Sequence, residues 1–448
     1  MSIIDEFSCE CLKSELDLFS VPPTQTAIEQ TKFKEFYPIS QTHSTAPLEF
    51  HITSAEDEYM DLQQSYLYMT VSIRDNDNNV LTAATGDAAT PAKNYVFPIN
   101  YFGATQFKNV EVLLNSVLLS PSDVQYTYRS FLETILSYGP SKKEQLTAGL
   151  FYQDSQSPDL HDDSVGENDC VNSGARERYL LTMNSKTFET VVRVHNCLFN
   201  QPKLLLSKMD LRLKFHKHDA KYCLMSAVTN VNYKIHIDKA VFYVCFKRVS
   251  ASVREAHELG LLKSSAKYPV QTTEVKFYTK PTGASDLSEN QILTGVLPNR
   301  VVLALVSSAA FNGHYHRNPL NFAPFDVRSI QLRRNGVSLP YDMMELDYAS
   351  GHVLPGYMSL FQGMGKLFHD CTLNISIEDY LRSGMSLYVF DVSQDSSSDS
   401  SFSVLQEGVL SVQIKLARAL TESATLIVFF ERSSLIEINK DRQVSFEV

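Results

Sequence analysis

The sequence contains no tryptophan and none of the common catalytic or nucleotide-binding motifs. No glycine-rich phosphate loop, Gly-x-Ser-x-Gly turn or Cys-x-x-Cys pair occurs in its 448 residues. The lack of tryptophan weakens a sugar-binding interpretation, because sugar sites commonly stack on Trp or Tyr. The 22 tyrosines could substitute, but in a strand-rich chain tyrosines are more often packing and interface residues.

Excess positive charge and long apolar runs are also missing. The formal net charge is −11, whereas a protein that coats nucleic acid needs clustered Lys and Arg. No stretch approaches the roughly 18 apolar residues of a membrane span, and the first ten residues lack the basic start of a signal peptide. We therefore expect no direct nucleic-acid binding, and the sequence leaves membrane association open.

Cysteines are few, odd in number and scattered. The seven are Cys9, Cys11, Cys170, Cys197, Cys223, Cys245 and Cys371. Cys245 lies inside the apolar run "AVFYVCF", which is typical of a buried free thiol. This usage favours a reducing compartment, nucleus or cytoplasm, in which disulfides are not needed.

One stretch of the chain occurs twice. "FKNVEVLLNSVLLS" at 107–120 and "VRSIQLRRNGVSLP" at 327–340 place apolar, polar and turn residues in nearly the same order. Further pairs flank it in the same order: "QTKFKEFYP" with "TTEVKFYTKP", and "AVFYVCFKR" with "TLIVFFER". Each copy covers about 200 residues, so the pattern predicts two stacked copies of one domain.

Alternating hydrophobicity predicts that both copies are built from strands. In "YLYMTVSIR" the residues Leu67, Met69, Val71 and Ile73 share one face, and "DLRLKFH" and "VLSVQIKL" alternate in the same way. About eight short strands per copy, separated by turns, is the number found in a jelly roll. The predicted fold class is all-β: two tandem eight-stranded jelly-roll sandwiches (a double jelly roll), with short helices in loops and linker.

Two helices are predicted, and one of them marks the boundary between the copies. "SFLETILSYGP" ends at a Gly-Pro stop, and "SVREAHELGLLK" begins with a capping-box pattern formed by Ser252 and Glu255. The predicted division of the chain is an N-terminal arm at 1–30, a first jelly roll at 31–250, a helical linker at 251–267 and a second jelly roll at 268–448.

The candidate metal sites are weak. His314 and His316 lack the third ligand of a cupin-type site, and "FHKHDAKYC", with His216, His218 and Cys223, is more simply a solvated strand end. "DNDNN" at 75–79 lacks the Gly and Glu of a calcium loop and predicts a hairpin turn. The acidic run "LHDDSVGEND" predicts a solvated loop. We expect no catalytic residues, metal or cofactor.

The N-terminal segment offers the one candidate interaction site. Ile3, Ile4 and Phe7 could line one face of a short helix that precedes the first sandwich. A tail of this kind either docks on its own domain or reaches a neighbouring subunit and orders on contact. We name Ile3, Ile4 and Phe7 as candidate residues of an arm that ties subunits together.

Three segments of the first half resemble a known family. These are "DLFSVPPTQTAIEQTKFKEFYP", "PLEFHITSAEDEYMDLQQSYLYMTVSI" and "NVEVLLNSVLLSPSDVQYTYRSFLETILSYG". They resemble the major capsid proteins of Polinton (Maverick) elements and adintovirus-like relatives, of the double jelly-roll lineage that includes adenovirus hexon. The second half resembles the family in architecture more than in motif.

The resemblance implies a structural role for the chain. It implies a homotrimer with a pseudo-hexameric outline, an icosahedral shell of such trimers, a minor or penton capsid protein as partner, and location in the virion. Synthesis would occur in the host cytoplasm, with the nucleus as one site of assembly. The long loops at 141–190 and 311–325 are candidates for the outer crown and trimer clasp.

Two other classes of function remain open. One is an enzyme on a double jelly roll, such as a glycan-releasing amidase, although no compact pair of acids supports it. The other is a glycan- or receptor-binding module, including a domesticated capsid gene, since a fold alone does not define a function.

Overall fold

The computed structural model describes residues 13–42, 46–81, 95–119, 125–159, 170–226, 232–340, 342–368, 373–394 and 402–447. Ten strands precede residue 250: β1 (Ile28–Phe36), β2 (Leu48–Thr53), β3 (Glu58–Asp75), β4 (Val96–Pro98), β5 (Phe107–Leu114), β6 (Val117–Leu118), β7 (Phe188–Val192), β8 (Asp210–Lys217), β9 (Leu224–Ser226) and β10 (Tyr233–Val249).

Ten strands follow residue 265 within the described ranges. They are β11 (Ala266–Lys280), β12 (Glu289–Val296), β13 (Arg300–Ser307), β14 (Val327–Arg334), β15 (Val337–Ser338), β16 (Met344–Glu345), β17 (Leu387–Asp391), β18 (Glu407–Leu416), β19 (Ala424–Ile438) and β20 (Val444–Glu447).

Short helices fill the connections between strands. They are α1 (Phe102–Thr105), α2 (Tyr126–Ser137), α3 (Lys143–Thr147), α4 (Ser173–Thr182), α5 (Cys197–Asn200), α6 (Ala220–Cys223), α7 (Ala251–Leu261), α8 (Ser308–Phe311), α9 (Leu354–Gly363) and α10 (Ile377–Arg382). No helix in the described ranges has the length and apolar content needed to cross a membrane.

The strands form two sandwiches with the same topology. The first pairs the sheet β1-β10-β3-β7 with the sheet β2-β8-β5-β6. The second pairs β11-β19-β13-β17 with β12-β18-β14-β15, and adds β20 beside β19 and β16 beside β14. If the eight shared strands of each copy are counted in chain order, both copies have sheets of order 1-8-3-6 and 2-7-4-5. This is a jelly roll twice over, which confirms the predicted fold class.

The alternation seen in the sequence corresponds to burial. Leu67, Met69, Val71 and Ile73 of β3 are fully buried between the sheets of the first sandwich. The equivalent strand of the second sandwich, β13, is buried on both faces from Val301 to Ser307. Cys245 is a buried free thiol, as predicted.

The repeated stretch is a hairpin that both sandwiches stabilise in the same way. Leu114 pairs with Val117 in one copy and Arg334 with Val337 in the other. Between them, Asn115 and Asn335 adopt left-handed backbone angles, with φ of 46° and 50°. Asn is one of the few residues that tolerate this conformation, and it favours two-residue hairpin loops.

The side chains of these asparagines also tie the hairpin to the neighbouring strand. The Asp210 amide donates to Asn115 Oδ1 at 2.7 Å, and the Val409 amide donates to Asn335 Oδ1 at 2.8 Å. In return the Asn115 and Asn335 amides donate to the carbonyls of Asp210 and Val409. The two copies therefore share an asparagine clamp between strand 7 and the 4–5 hairpin.

Helix α7 connects the sandwiches but does not begin as predicted. It starts at Ala251 with Ser250 at the N-cap, and no side chain makes a capping hydrogen bond there. The expected capping box of Ser252 and Glu255 is therefore wrong. Ser252 lies inside the first turn, because the Ser250 amide is already fixed by the Ala27 carbonyl of the β1 entry.

Replacement of Asn335 separates the contribution of its side-chain hydrogen bond from that of its left-handed backbone conformation. Asn335→Ala should lower the free energy of unfolding by about 2 kcal/mol. The variant loses a hydrogen bond, and it places in the left-handed region an alanine, which lacks the local side-chain bonding by which asparagine tolerates that conformation. Asn335→Gly should cost about half as much, because glycine adopts positive φ freely. Chemical denaturation measures both, and equal losses would mean that the backbone conformation contributes nothing.

Candidate assembly surfaces

The two sandwiches meet through helix α2, which belongs to the first and packs on the second. Tyr128 is fully buried, and its ring lies 6.0 Å from that of Phe311, at an interplanar angle of 7°. Phe277 on β11 and Phe322 each lie 6.2 Å from Tyr128. Phe131, one helical turn further, lies 6.1 Å from Phe322. This aromatic cluster joins the sandwiches into one hydrophobic core.

Polar contacts fix the orientation around this cluster. Lys366 Nζ donates to the carbonyls of Leu136 and Ser137, both at 3.1 Å. These are the last carbonyls of α2, where a cation also complements the helix dipole. At another part of the interface, the Tyr268 hydroxyl donates to the Leu204 carbonyl at 3.1 Å. The interface therefore combines a dry centre with directional bonds, as stable protein interfaces do.

The predicted crown and clasp loops lie against one another. Asp159, from the 141–190 loop, accepts hydrogen bonds from the Asn318 amide at 2.6 Å and from Asn321 Nδ2 at 2.7 Å. Arg317 lies 3.5 Å from the same carboxylate. The structure thus brings together parts of both loops, one from each sandwich.

A buried ionic network lies behind α2, beside a cleft of about 210 Å³. Glu133 is bound by Arg129 Nε at 2.9 Å and by His195 Nδ1 at 3.0 Å. The Tyr101 hydroxyl lies 3.1 Å from His195 Nε2. Both nitrogens of the imidazole are therefore engaged.

The pKa shifts of this network indicate a structural role. Burial alone would raise the pKa of Glu133, but the Arg129 charge and the contact with His195 outweigh it and bring that pKa to about 2. Burial lowers the pKa of His195 and raises the pKa of the Tyr101 phenol far above neutrality. A phenol this hard to ionise and only 2% exposed is a poor nucleophile, so we interpret the network as a polar link between α2 and the rest of the first sandwich.

The segment with His216, His218 and Cys223 is not a solvated strand end, because Cys223 is fully buried at the end of α6. Among the described residues, no group of three or more His, Cys, Asp or Glu side chains could hold a metal ion. His216 contacts Glu111 across the sheet, whereas His218 stacks on Tyr222 with ring centroids 3.6 Å apart. Asp75 caps its turn by accepting from the Asp77 and Asn79 amides. The acidic run at 160–169 and the arm residues Ile3, Ile4 and Phe7 lie outside the described residues.

A partly exposed aromatic patch on the first sandwich was not predicted. We define it as Phe33, Tyr66, Tyr68 and Tyr243, on the outer face of the sheet β1-β10-β3-β7. Tyr66 and Tyr243 stack at 5.1 Å, and Phe33 lies 6.1 Å from Tyr66 and is 44% exposed. The signal in the sequence was the placement of tyrosines at positions that face away from the core of β3. Contiguous exposed aromatic residues mark interaction surfaces.

The described part of the N-terminal arm is a second exposed apolar feature. All of residues 13–26 are exposed, including Leu18 at 77%, Phe19 at 97% and Val21 at 86%. Its hydrogen bonds are local, such as that from the Ser20 amide to Asp17. A segment that exposes several large apolar side chains while contacting little of its own domain is suited to bind elsewhere.

Comparison with known proteins places this fold among capsid proteins. No protein-family model matches the chain. An uncharacterised protein of Caenorhabditis elegans is 23% identical over 406 residues, which cover 89% of this chain and 92% of that protein.

Three solved structures share the fold over nearly the whole chain. A chain of the Sputnik virophage structure matches with a TM-score of 0.66 at 11% identity, covering 100% of this chain and 94% of that one. The mavirus major capsid protein matches with a TM-score of 0.55 at 8% identity, covering 100% and 97%. The Faustovirus major capsid protein matches with a TM-score of 0.54 at 9% identity, covering 93% and 92%. The chain therefore has the double jelly-roll fold that it shares with these structures.

Truncation of Tyr128 tests whether the aromatic cluster couples the sandwiches. Tyr128→Ala should lower the free energy of unfolding by about 3–5 kcal/mol, the usual cost of removing a buried aromatic ring. It should also split thermal unfolding into two calorimetric transitions, because each sandwich would then unfold separately. Tyr128→Phe, which keeps the ring, is the control and should retain one transition. A single transition in Tyr128→Ala would contradict the coupling role.

Proposed function

We propose that this chain is a major capsid protein whose homotrimers tile an icosahedral shell. The observation that carries the proposal is the duplication itself: two jelly rolls of identical topology, joined by a buried interface into one tile, over the same extent as viral capsid chains. Function is then geometric and requires no catalytic residue. The alternating burial of each sheet provides the rigidity, and the outer faces provide the contacts.

The duplication suits a pseudo-hexameric trimer. Three chains contribute six similar sandwiches, so a ring with three-fold symmetry acquires a nearly hexagonal outline that can tile a surface. Closure of such a ring would cover the aromatic patch or the exposed sheet edges of each chain. Tyrosine and phenylalanine are the residue types that interface centres favour.

The proposed source and partners follow from the sequence resemblance. We place the chain with Polinton (Maverick) or adintovirus-like elements, and a relative in an animal, Caenorhabditis elegans, is consistent with a capsid gene carried by an animal genome. A minor or penton capsid protein would fill the five-fold vertices. The protein would be made in the host cytoplasm, assembled there or in the nucleus, and located in the virion. The net charge of −11 argues that another protein contacts the genome.

Each part of the chain has a proposed role in the tile. Residues 1–30 form the arm, 31–250 and 268–448 the two jelly rolls, and 251–267 the linker. The loops that meet at Asp159 would form part of the outer crown and trimer clasp, since they come from both sandwiches. Ile3, Ile4 and Phe7 would supply the apolar contacts by which the arm ties neighbouring capsomers.

A glycan- or receptor-binding module is the second candidate. The exposed aromatic patch favours it, because Tyr68 and Tyr243 each donate a hydrogen bond to a carboxylate, Glu189 and Glu35. Aromatic rings beside carboxylates can stack on and hydrogen-bond a sugar. Specific binding on a glycan array by a monomeric protein would favour this function over a capsid role.

The oligomeric state is the decisive measurement for the capsid function. Light scattering on the purified protein should give about 152 kDa, three times the chain mass of 50.5 kDa. Negative-stain images of the same peak should show triangular or hexagonal outlines. A clean monomer at 50.5 kDa would leave the fold standing but would contradict the capsid proposal.

The arm proposal makes a separate prediction. The double variant Ile4→Asp, Phe7→Asp should leave the trimer mass unchanged and reduce the yield of larger assemblies by about tenfold or more, since two apolar contacts are replaced by charges. Ser8→Asp adds charge to the same segment and serves as the control. Normal shells in the double variant, seen by negative-stain microscopy, would refute the role of these residues.

A further inference from the structure

An open apolar groove of about 640 Å³ lies between the linker helix α7 and the two sandwiches. One wall is the stripe Val253, Ala256, His257, Gly260 and Leu261 of α7, which follows the spacing i, i+3, i+4, i+7, i+8. Such a stripe normally packs on a core. Here only Leu261 of the helix is buried, so most of the stripe remains uncovered. The groove is therefore bounded by an apolar helix face that no other element of the described chain covers.

The root of the N-terminal arm lies at this groove. Ala27 and Ile28 contribute to its lining, and the Ser250 amide donates to the Ala27 carbonyl at 2.9 Å. The arm then leads away, and its apolar side chains Leu16, Leu18 and Phe19 are 64%, 77% and 97% exposed. Each chain thus presents both an uncovered apolar groove and an uncovered apolar segment.

The geometry of the arm favours a groove on another copy. Pro22 and Pro23 stand between the root and Phe19, and consecutive prolines hold a chain extended at about 3.1 Å per residue. Phe19 precedes Ala27 by eight positions, so Phe19 can lie about 25 Å from its own groove. The stiff Pro-Pro segment disfavours the tight return that docking in the same chain would require.

Charge adds to the fit between the arm and the groove. Residues 1–21 contain five carboxylates (Asp5, Glu6, Glu10, Glu15 and Asp17) against the single Lys13. Lys203 and Lys267 line the groove. The acidic residues Glu255 and Glu258 lie on the other side of α7, among the residues that line a separate pocket. Lys267 already lies 3.5 Å from Glu437, so Lys203 is the cation that the groove offers to the acidic, apolar segment.

We infer that this groove receives residues Leu16–Val21 of the arm of a neighbouring copy. The inference rests on the proposed capsid function, which it deepens by naming the surface that the arm engages. The contact would be weak for one arm, and repetition around a trimer would multiply it.

Peptide binding tests the groove directly. The probe is a fluorescein-labelled peptide of residues 13–24, KSELDLFSVPPT, titrated into full-length Phe19→Asp protein, whose own arm should no longer compete. We expect saturable binding by fluorescence anisotropy. Gly260→Trp, combined with Phe19→Asp, should weaken binding by about tenfold or more. A Cβ at Gly260 meets nothing within 4 Å, so this variant should fold, and Gly260→Ala is its matched control.

The peptide itself provides a second matched pair. Phe19→Asp in the peptide should abolish binding, whereas Thr24→Asp, with the same added charge, should preserve it. Absence of saturable binding, or equal binding to the Gly260→Trp and Gly260→Ala proteins, would overturn the proposed site.

Assembly of the full-length variants decides which copy provides the arm. Phe19→Asp and Gly260→Trp, each made singly, should retain the trimer mass and reduce larger assemblies, whereas Thr24→Asp and Gly260→Ala should not. Peptide binding at the groove together with normal assembly would mean that the arm docks on its own chain, which would overturn the second-copy occupant. Failure of the wild-type protein to form a trimer would instead count against the proposed capsid function. The peptide titration would still test whether the groove binds the arm.

Discussion

The structure depends on the packing of one helix of the first sandwich against the second. Tyr128 and Phe131 of α2 lie against Phe277, Phe311 and Phe322 of the second sandwich, and the packing of α5 on β11 and of Tyr233 on Tyr315 extends this interface. The proposed capsid function requires a constant angle between the two halves of the chain, because errors in that angle would accumulate across a closed shell. A close-packed aromatic interface provides this constancy, since packed interiors resist deformation. Lys366 on the final carbonyls of α2 then restricts rotation about the contact.

The two copies agree where a jelly roll needs a particular residue and differ in one of the connections between their shared strands. Both keep an asparagine at 115 and 335, because the hairpin requires a left-handed residue whose side chain can bond the adjacent strand. They diverge between strands 5 and 6. In the first copy this connection contains α2, which crosses to the partner sandwich. In the second it contains α9, which covers its own strand β17, with Gly363 against Val389. The shared strands therefore form the sheets of both sandwiches, and the different connections form the interface between the sandwiches.

This division also explains what could be predicted from sequence. Alternation in β3, β8 and β18 and the offset between Asn115 and Asn335 depend on local patterns, so the strand class, the duplication and the repeated hairpin were predictable. The partners of Tyr128 were not, because they lie far away in the chain and no local pattern encodes them. The capping box at Ser252 was wrong because a long-range bond between Ser250 and Ala27 sets where α7 begins. The aromatic patch was missed since an outward tyrosine on a strand is common by itself. Only the structure shows that four aromatic residues from three strands are contiguous.

The proposed contacts impose a symmetry that the fold alone does not. Six sandwiches of nearly equal shape would let a trimer sit in a hexagonal lattice in either of two orientations, related by a 60° rotation. The groove and the arm each occur once per chain, beside the single helix that joins the sandwiches, so contacts through them have three-fold and not six-fold symmetry. Arm docking would therefore distinguish the two orientations, whereas contacts between sandwich walls would distinguish them only weakly. On this view the rigid interface at Tyr128 makes the proposed tile nearly six-fold, and the arm orients each tile relative to its neighbours.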